Sequence, residues 1–335
     1  MIENAERRGD AGAARTDDPL VTVVIGTKER PEDIRRAIPS VLRSDYTNFE
    51  FLIIDQSPDD QTREIVEGFA KDDSRINYVR DPRQGLARAQ NLAMRLATTE
   101  IIAITDDDCE VDIGWLSSIV RAFQEDPELG LLFGEVTPEE GYEDEGFIVG
   151  YHIKKRRRLR GRMAKRLDGG ISASMAVRRP VWQAVQGMDE VLGPGSYFPN
   201  CEDGDFAYRV LKAGYPMLHL PEARVLHYGL REWSGGSQLT RRTYLSIAAA
   251  YFKHVRCGDL FALYLLGDQI AAAMGNLVKR IVTWRRPFGF RRLTYIFVGI
   301  YRSFERSVDR KVWKYHGDSN GLDTGSQRAG NGRSL

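Results

Sequence analysis

Residues 101–109 read IIAITDDDC, a short apolar run that ends directly in three aspartates and a cysteine. A β-branched run that is apolar on both faces predicts a strand buried inside a sheet. In an extended chain Asp106 and Asp108 would point to the same side and could share one hard cation, Mg²⁺ or Mn²⁺. For a triple aspartate taken alone, a solvated acidic turn is the alternative.

Similar apolar runs recur around this stretch, each separated from the next by an amphipathic segment. They predict strands at 21–25, 51–54, 76–79, 101–105 and 131–136. Single strands that alternate with single helices indicate an α/β fold, a mostly parallel sheet covered by helices on both faces. Such sheets bind ligands beyond the carboxyl ends of their strands. Thr27–Arg30, Asp55, Gln56 and the three aspartates lie at those ends, so we expect them to converge on one cleft.

A second acidic cluster, Glu202-Asp203-Gly204-Asp205, opens another amphipathic stretch. Asp203 precedes Phe206 and Ala207 by one turn, which predicts that it shares their buried face, with Glu202 beside that face. An inward acid at a helix mouth could serve as a general base. The alternative is that the acids only complement the helix dipole.

The composition excludes few classes of protein. With 335 residues there is room for one large domain with an appendage or for two small domains. The 48 Lys and Arg nearly cancel the 47 Asp and Glu, so net charge indicates no particular partner. Three dispersed cysteines without CxxC spacing predict neither disulfides nor a zinc site and favour a reducing cytoplasm. Residues 1–19 and 316–335 are predicted to be disordered tails, with no secretory signal at the start.

Beyond residue 233 the chain becomes helical and apolar. Five polar residues interrupt the segment 260–284, and at helical spacing they fall within an arc of about 120°. This predicts an amphipathic helix lying on an anionic membrane rather than a spanning helix. Arginines at 285–286 and 291–292 flank it, and the basic stretch 154–166 could add to the same surface. A core helix packed on the preceding domain is the alternative.

The order of these motifs resembles that of glycosyltransferase family 2, a large inverting family with the GT-A fold. The resembling stretches are Val21–Arg30, Phe51–Asp60, Gln84–Asn91, Asp106–Asp108, Gly170–Arg179, Gly187–Glu190, Cys201–Phe206 and Val225–His227. Two positions depart from the family pattern, which often has proline at Gly26 and a second acid at Gln56. Because of the second departure, the sequence does not identify the nucleotide base of the donor.

The resemblance implies a GT-A (Rossmann-like) domain at 20–232, with a C-terminal amphipathic helical region at 233–315. It implies a catalytic base at Asp203 and a Mn²⁺ or Mg²⁺ ion held by Asp108, Asp106 and His227. The implied contacts to the nucleotide sugar are Thr27, Glu29, Arg30, Asp55, Gln56, Arg88, Asp106 and Asp107. On the acceptor side it implies Glu202 and Trp233.

The expected function is inverting transfer of a hexose or deoxyhexose from a nucleotide-diphosphate donor to a glycan or lipid-linked acceptor. Such an enzyme would act in bacterial cell-surface polysaccharide synthesis, in the cytoplasm against the inner face of the membrane, without a nucleic-acid partner. Two alternatives remain. A catalytically silent partner in a membrane polysaccharide complex would not need intact acidic motifs. A sugar nucleotidyltransferase would be expected to carry a glycine-rich, lysine-containing phosphate loop, and residues 26–30 do not form that pattern.

Overall fold

The computed structural model describes residues 20–166, 169–232, 236–283 and 289–317. Trp233, the arginines at 285–286, the whole expected tail at 1–19 and residues 318–335 of the other expected tail lie outside these ranges. The strands are β1 (Val21–Thr27), β2 (Phe49–Asp55), β3 (Ile76–Arg80), β4 (Ile101–Asp106), β5 (Cys109–Val111), β6 (Leu131–Pro138), β7 (Gly146–Ile148), β8 (Arg157–Leu159), β9 (Ser174–Arg178), β10 (Met217–His227), β11 (Leu230–Glu232), β12 (Val308–Asp309) and β13 (Lys314–Tyr315).

Within the described ranges, nine strands form one mixed sheet in the order β3-β2-β1-β4-β9-β6-β10-β5, with β8 paired to β10. Six strands of this sheet run in one direction: β1, β2, β3, β4, β6 and β10. Strand β9 is antiparallel to both of its neighbours, β4 and β6. The α/β prediction of a mostly parallel sheet is therefore confirmed. A run that is apolar on both faces marks a central strand without giving its direction, so the sequence did not reveal the reversal at β9.

Helices cover both faces of the sheet. The α-helices of the described ranges are α1 (Pro31–Leu42), α2 (Gln61–Asp72), α3 (Leu86–Leu96), α4 (Trp115–Glu125), α5 (Arg179–Ala184), α6 (Glu202–Lys212), α7 (Gly236–Arg256), α8 (Leu260–Val282) and α9 (Gly289–Ser303), of which the first six cover the sheet. On one face α1, α2 and α4 pack against side chains such as Val23 and Phe51. On the other, α3, α5 and α6 pack against side chains such as Val24 and Ile104. Each large apolar side chain buried this way contributes about 1.5–3 kcal/mol.

The last three helices pack on one another, and α7 also contacts α6. One helix in the described part of the chain, over Leu260–Lys279, has the length and apolar composition that could cross a membrane. Only 22% of that segment is buried. Its exposed side chains include Leu260, Leu263, Met274 and Val278, whereas Asp268, Gln269 and Asn276 are half-buried. The apolar side of α8 therefore faces outward.

Candidate active site

The strand register brings the predicted residues to one edge of the sheet. Thr27 at the end of β1 pairs with Asp55 at the end of β2, and Gly26 pairs with Asp106 at the end of β4. His227 ends β10, which runs in the same direction. The convergence expected from the carboxyl ends of the strands is thus present in the fold.

The three aspartates do not continue the strand as an extended segment. β4 ends at Asp106, and the next two aspartates form the turn into β5, so the expectation that Asp106 and Asp108 share one side of a strand is wrong. Asp107 is directed back toward β1, where it accepts a hydrogen bond from Thr27 Oγ1 at 2.8 Å. Arg30 Nη1 lies 2.9 Å from both Asp107 Oδ1 and Asp108 Oδ2. One half-exposed guanidinium therefore bridges two carboxylates.

Asp108 and His227 face each other at the mouth of this turn. His227 Nε2 lies 3.3 Å from Asp108 Oδ1, and its other ring nitrogen lies 2.6 Å from the carbonyl of Val149. The Asp108 carboxylate raises the pKa of His227 against the opposing effect of burial. Gly229 closes the space beside them, because a Cβ there would lie 2.6 Å from His227 Nε2 and 2.7 Å from Asp108 Oδ2. The site depends on a residue without a side chain at this position.

These residues fit a hard divalent cation. Ligand atoms of Asp108, Cys109 and His227 lie within 4.8 Å of one another, and Asp106 Oδ1 is buried without a hydrogen-bond partner. Burial and the charge of Asp108 raise the pKa of Asp106 to about 7, as expected for a buried carboxyl beside another carboxylate. Burial also raises the pKa of the Cys109 thiol, which leaves it neutral and poorly suited to a hard ion. Carboxylate and imidazole are ordinary Mn²⁺ or Mg²⁺ ligands.

The three acids of α6 occupy three different environments. Glu202 is 4% exposed, and its Oε2 has no hydrogen-bond partner. Burial and the charges of Asp203 and of Asp106 in the aspartate turn raise its pKa well above the ordinary value. Asp205 is buried in ion pairs with Arg209 and Lys253.

Asp203 lies half-buried between these two acids. The expectation that Asp203 occupies the buried face with Glu202 beside it is wrong. The helix begins at Glu202, and the loop at Gly193 packs over the Glu202 carboxyl, where a Cβ would lie 2.9 Å from Cδ.

Asp55 and Gln56, which are expected near the nucleotide base, both form hydrogen bonds within the protein. Asp55 Oδ1 accepts from the Ser57 amide and Oδ2 from the Tyr78 hydroxyl, both at 2.8 Å. The Gln56 carboxamide makes two hydrogen bonds to the backbone of Gly85, donating to its carbonyl and accepting from its amide. Gly85 has φ +119° and begins α3, a conformation that favours glycine. Contact between Gln56 and a base stays a prediction, and it would use the second N–H or the second oxygen lone pair of the carboxamide.

Arg88 and Glu29 also have local partners. Arg88 Nε lies 3.1 Å from Glu190 Oε2, and Glu190 in turn accepts from Asn91 at 2.9 Å. Glu29 is exposed, has φ +54° and donates its backbone amide to Ser57 Oγ at 2.7 Å. Trp233, expected on the acceptor side, lies outside the described residues.

Sequence reasoning missed Gly229 and Glu190. Gly187–Glu190 was quoted only as a stretch of the resemblance, without a role for Glu190. Nothing in a single sequence distinguishes Gly229 from the other 31 glycines, because its importance arises from the approach of two side chains distant in sequence.

Comparisons with known proteins agree with this geometry. Residues 22–182 match the family model described as Glycosyl transferase family 2. The GalNAc(5)-diNAcBac-PP-undecaprenol beta-1,3-glucosyltransferase of Campylobacter jejuni is 29% identical over 109 residues, which are 32% of this chain and 35% of that protein. The glucosyl-dolichyl phosphate glucuronosyltransferase of Haloferax volcanii is 22% identical over 227 residues, 62% of this chain and 68% of that protein. The match thus spans about a third of the length of the first relative and about two thirds of the second.

Among solved structures, the chain is similar to the mannosyltransferase PcManGT from Pyrobaculum calidifontis, which was solved in complex with GDP-Man and Mn²⁺. The TM-score is 0.59 at 18% identity, covering 89% of this chain and 91% of that chain. At this level of identity the likeness shows a shared GT-A fold.

Proposed function

Since residues 22–182 place the chain in glycosyltransferase family 2, we propose that it transfers a sugar from a nucleotide-diphosphate donor to an acceptor hydroxyl with inversion. The observation that carries this proposal is the convergence of two sets of acids on one sheet edge. The aspartate turn and His227 form one set, and Glu202 with Asp203 forms the other. Their separate environments suit two tasks, holding the leaving diphosphate and accepting a proton.

The donor diphosphate would lie over the aspartate turn. Asp108 and His227 would hold the divalent ion, with Asp106 beside them, because their ligand atoms are close and Asp106 Oδ1 is buried without a partner. When bound, such an ion neutralises the negative charge that develops on the departing diphosphate. Arg30 adds a cation at the same edge, since its guanidinium already bridges Asp107 and Asp108 while half-exposed.

Asp203 is the proposed catalytic base, because the environments of Glu202 and Asp205 suit that role less well. Glu202 is 4% exposed, and burial raises its pKa well above the ordinary value, so it is less available to an acceptor than a half-buried acid. The Asp205 carboxylate is occupied by buried cations, which hold its pKa well below the ordinary value despite burial. Asp203, whose Oδ1 accepts from the Gly204 amide, is the least buried of the three acids. It would accept the proton of the acceptor hydroxyl as that oxygen attacks the anomeric carbon opposite the diphosphate, and this inverts the configuration.

The other residues expected to contact the nucleotide sugar are assigned roles from their positions in the cleft. Thr27 and Asp107 shape the wall of the cleft through their mutual hydrogen bond. Asp55 and Gln56 would lie beside the nucleotide base, and Arg88, whose Nε is 3.1 Å from Glu190 Oε2, would direct its terminal nitrogens to a phosphate. The sugar, taken as a hexose or deoxyhexose, and the nucleotide base stay open in this proposal. Glu202 and Trp233 are proposed for the acceptor side.

We further propose that the protein lies on the inner face of a cell membrane and acts on a glycan or lipid-linked acceptor of a surface polysaccharide. The outward apolar side of α8 supports this, because soluble proteins rarely expose such a continuous patch. Lipid-linked substrates also figure in the names of the Campylobacter and Haloferax relatives, which contain undecaprenol and dolichyl phosphate.

A thermal-shift screen tests the donor class. The protein is melted with MnCl₂ or EDTA in the presence of UDP-glucose, GDP-mannose and related sugar nucleotides. The proposal predicts stabilisation by at least one donor only when the metal is present. The absence of any metal-dependent shift would favour a silent assembly partner. Release of pyrophosphate from a nucleoside triphosphate and a sugar phosphate would instead indicate a nucleotidyltransferase.

A further inference from the structure

A fully buried lysine joins the C-terminal helices to the rest of the protein. Lys253 of α7 has no exposed surface, and its Nζ lies 2.6 Å from Asp189 Oδ2 and 2.7 Å from Asp205 Oδ1. Asp189 belongs to the loop before α6, and Asp205 belongs to the first turn of α6 itself. One ammonium group therefore connects three segments that are far apart in sequence.

Further contacts complete the cluster around Asp205. Arg209 Nε lies 2.8 Å from Asp205 Oδ2, and His254 Nε2 lies 2.9 Å from Oδ1. Burial lowers the pKa of His254 to about 4, so its ring is neutral at pH 7. Two carboxylates thus face two cations, and the cluster is electrically balanced. Buried ion clusters often contribute little net stability compared with apolar packing, but removing one partner leaves a buried charge without compensation.

The cluster lies directly behind the proposed catalytic acids. Asp205 shares the first turn of α6 with Glu202 and Asp203. Asp189 is followed by Glu190, which binds Arg88 and Asn91 of α3. Displacement of Lys253 would release both the mouth of α6 and the loop that contacts α3.

We propose that Lys253 and His254 are positioning residues that hold the first turn of α6, and with it Asp203, in register with the donor site. Helix α7 would then contribute to the active site by positioning α6. The inference rests on the proposed function for its effect on transfer. Its structural half, the immobilisation of α6 by α7, does not depend on that function.

The test uses a charge-balanced double variant, Lys253→Met with Asp189→Asn, which removes one positive and one negative charge. The matched control is Leu266→Ala, which removes a buried side chain among the C-terminal helices without touching the cluster. Hydrogen–deuterium exchange is followed in the peptide 199–212. We expect exchange there to accelerate about tenfold in the double variant and to stay unchanged in the control. Unchanged exchange in the double variant, or equal acceleration in both, would overturn the proposal.

Activity provides the second readout, measured as release of GDP from GDP-mannose and of UDP from UDP-glucose with MnCl₂. We expect kcat to fall about ten- to a hundredfold in the double variant while KM for the donor changes less than about twofold. A KM effect alone, or kcat equal to that of the wild type, would overturn the positioning role.

Two further experimental results have a defined interpretation. A wild-type protein without metal-dependent donor turnover refutes the proposed function and the effect on transfer, and the exchange experiment still decides whether α7 immobilises α6. If the double variant does not fold, His254→Leu replaces it with the same criteria, because it removes the hydrogen bond to Asp205 and no charge at pH 7.

Discussion

At the scale of single residues, three acids within four positions of α6 have different chemistry because their surroundings differ. Burial raises the pKa of Glu202, ion pairs hold Asp205, and Asp203 lies half-buried between them. Sequence alone identified the cluster but ordered its members wrongly by burial, because the packing of the Gly193 loop over Glu202 is not encoded in helical spacing.

Replacing Asp203 by Asn is expected to separate binding from chemistry. Asn keeps the shape and hydrogen-bonding capacity of the side chain but cannot accept a proton at neutral pH. Turnover should fall about 10²–10⁴-fold while donor affinity stays near that of the wild type. Steady-state kinetics and calorimetry measure the two quantities. Glu202→Gln, which makes the same change at the buried neighbour, is the matched control and should cost less. Near-normal turnover of Asp203→Asn would show that the base lies elsewhere.

Gly229 offers a test of the cation site that leaves every proposed ligand in place. Gly229→Ala puts a methyl group where His227 and Asp108 approach, so metal-dependent affinity for GDP or UDP should fall at least about tenfold, with about 1–3 kcal/mol lost in stability. Gly68→Ala is the control, since the space around Gly68 is open and stability should hold or rise slightly. Unchanged affinity in Gly229→Ala would mean that ligands bind elsewhere.

At the scale of elements, the contact between α6 and α7 makes stability depend on pH. The pKa of His254 is about 4 in the folded protein and about 6.5 in the unfolded chain, where the ring is therefore protonated first. Falling pH then favours unfolding, with about 3 kcal/mol lost between pH 6.5 and 4. Urea denaturation at several pH values should show a flatter dependence for His254→Gln. His152→Gln, at an exposed position, should behave as the wild type, and an identical slope in all three proteins would contradict this account.

The outward side of α8 predicts binding to lipid. Val278→Glu adds a charge at a position that is 58% exposed, and it should weaken co-sedimentation with anionic liposomes about tenfold. Leu96→Glu is the matched control, at 47% exposure on the catalytic domain, and should bind as the wild type does. If the wild type stays in solution beside such liposomes at low salt, the apolar side has another partner.

The elements themselves were largely predictable. Strands such as β1 and β4 are marked by apolar runs that need cover on both faces, and the amphipathic helices between them supply it. The sequence did not predict that β9 runs against its neighbours, or that the aspartates form a turn, since both depend on pairing between distant segments. The membrane-facing role of α8 stays a prediction, as do the domain boundaries at 19, 232 and 315.

At the scale of the whole molecule, the fold places every long parallel strand with its carboxyl end toward one cleft, and the helices behind that cleft are tied to it by buried charges. The sequence located the edge correctly because topology dictates where such strands end. The sequence could not predict the roles of Gly229 and the buried Lys253, because each role depends on side chains that only the folded protein brings together.

The central claim is that the aspartate turn binds a nucleotide diphosphate through a divalent cation. Calorimetric titration of GDP and UDP into the wild type, with MnCl₂ or with EDTA, tests it most directly, alongside Asp108→Ala and the nearby surface control Asp112→Ala. We predict tight binding of at least one nucleotide with Mn²⁺ in the wild type and in Asp112→Ala, and loss of that metal-dependent affinity in Asp108→Ala. Equal affinity with EDTA and with Mn²⁺, or full affinity in Asp108→Ala, would contradict the account.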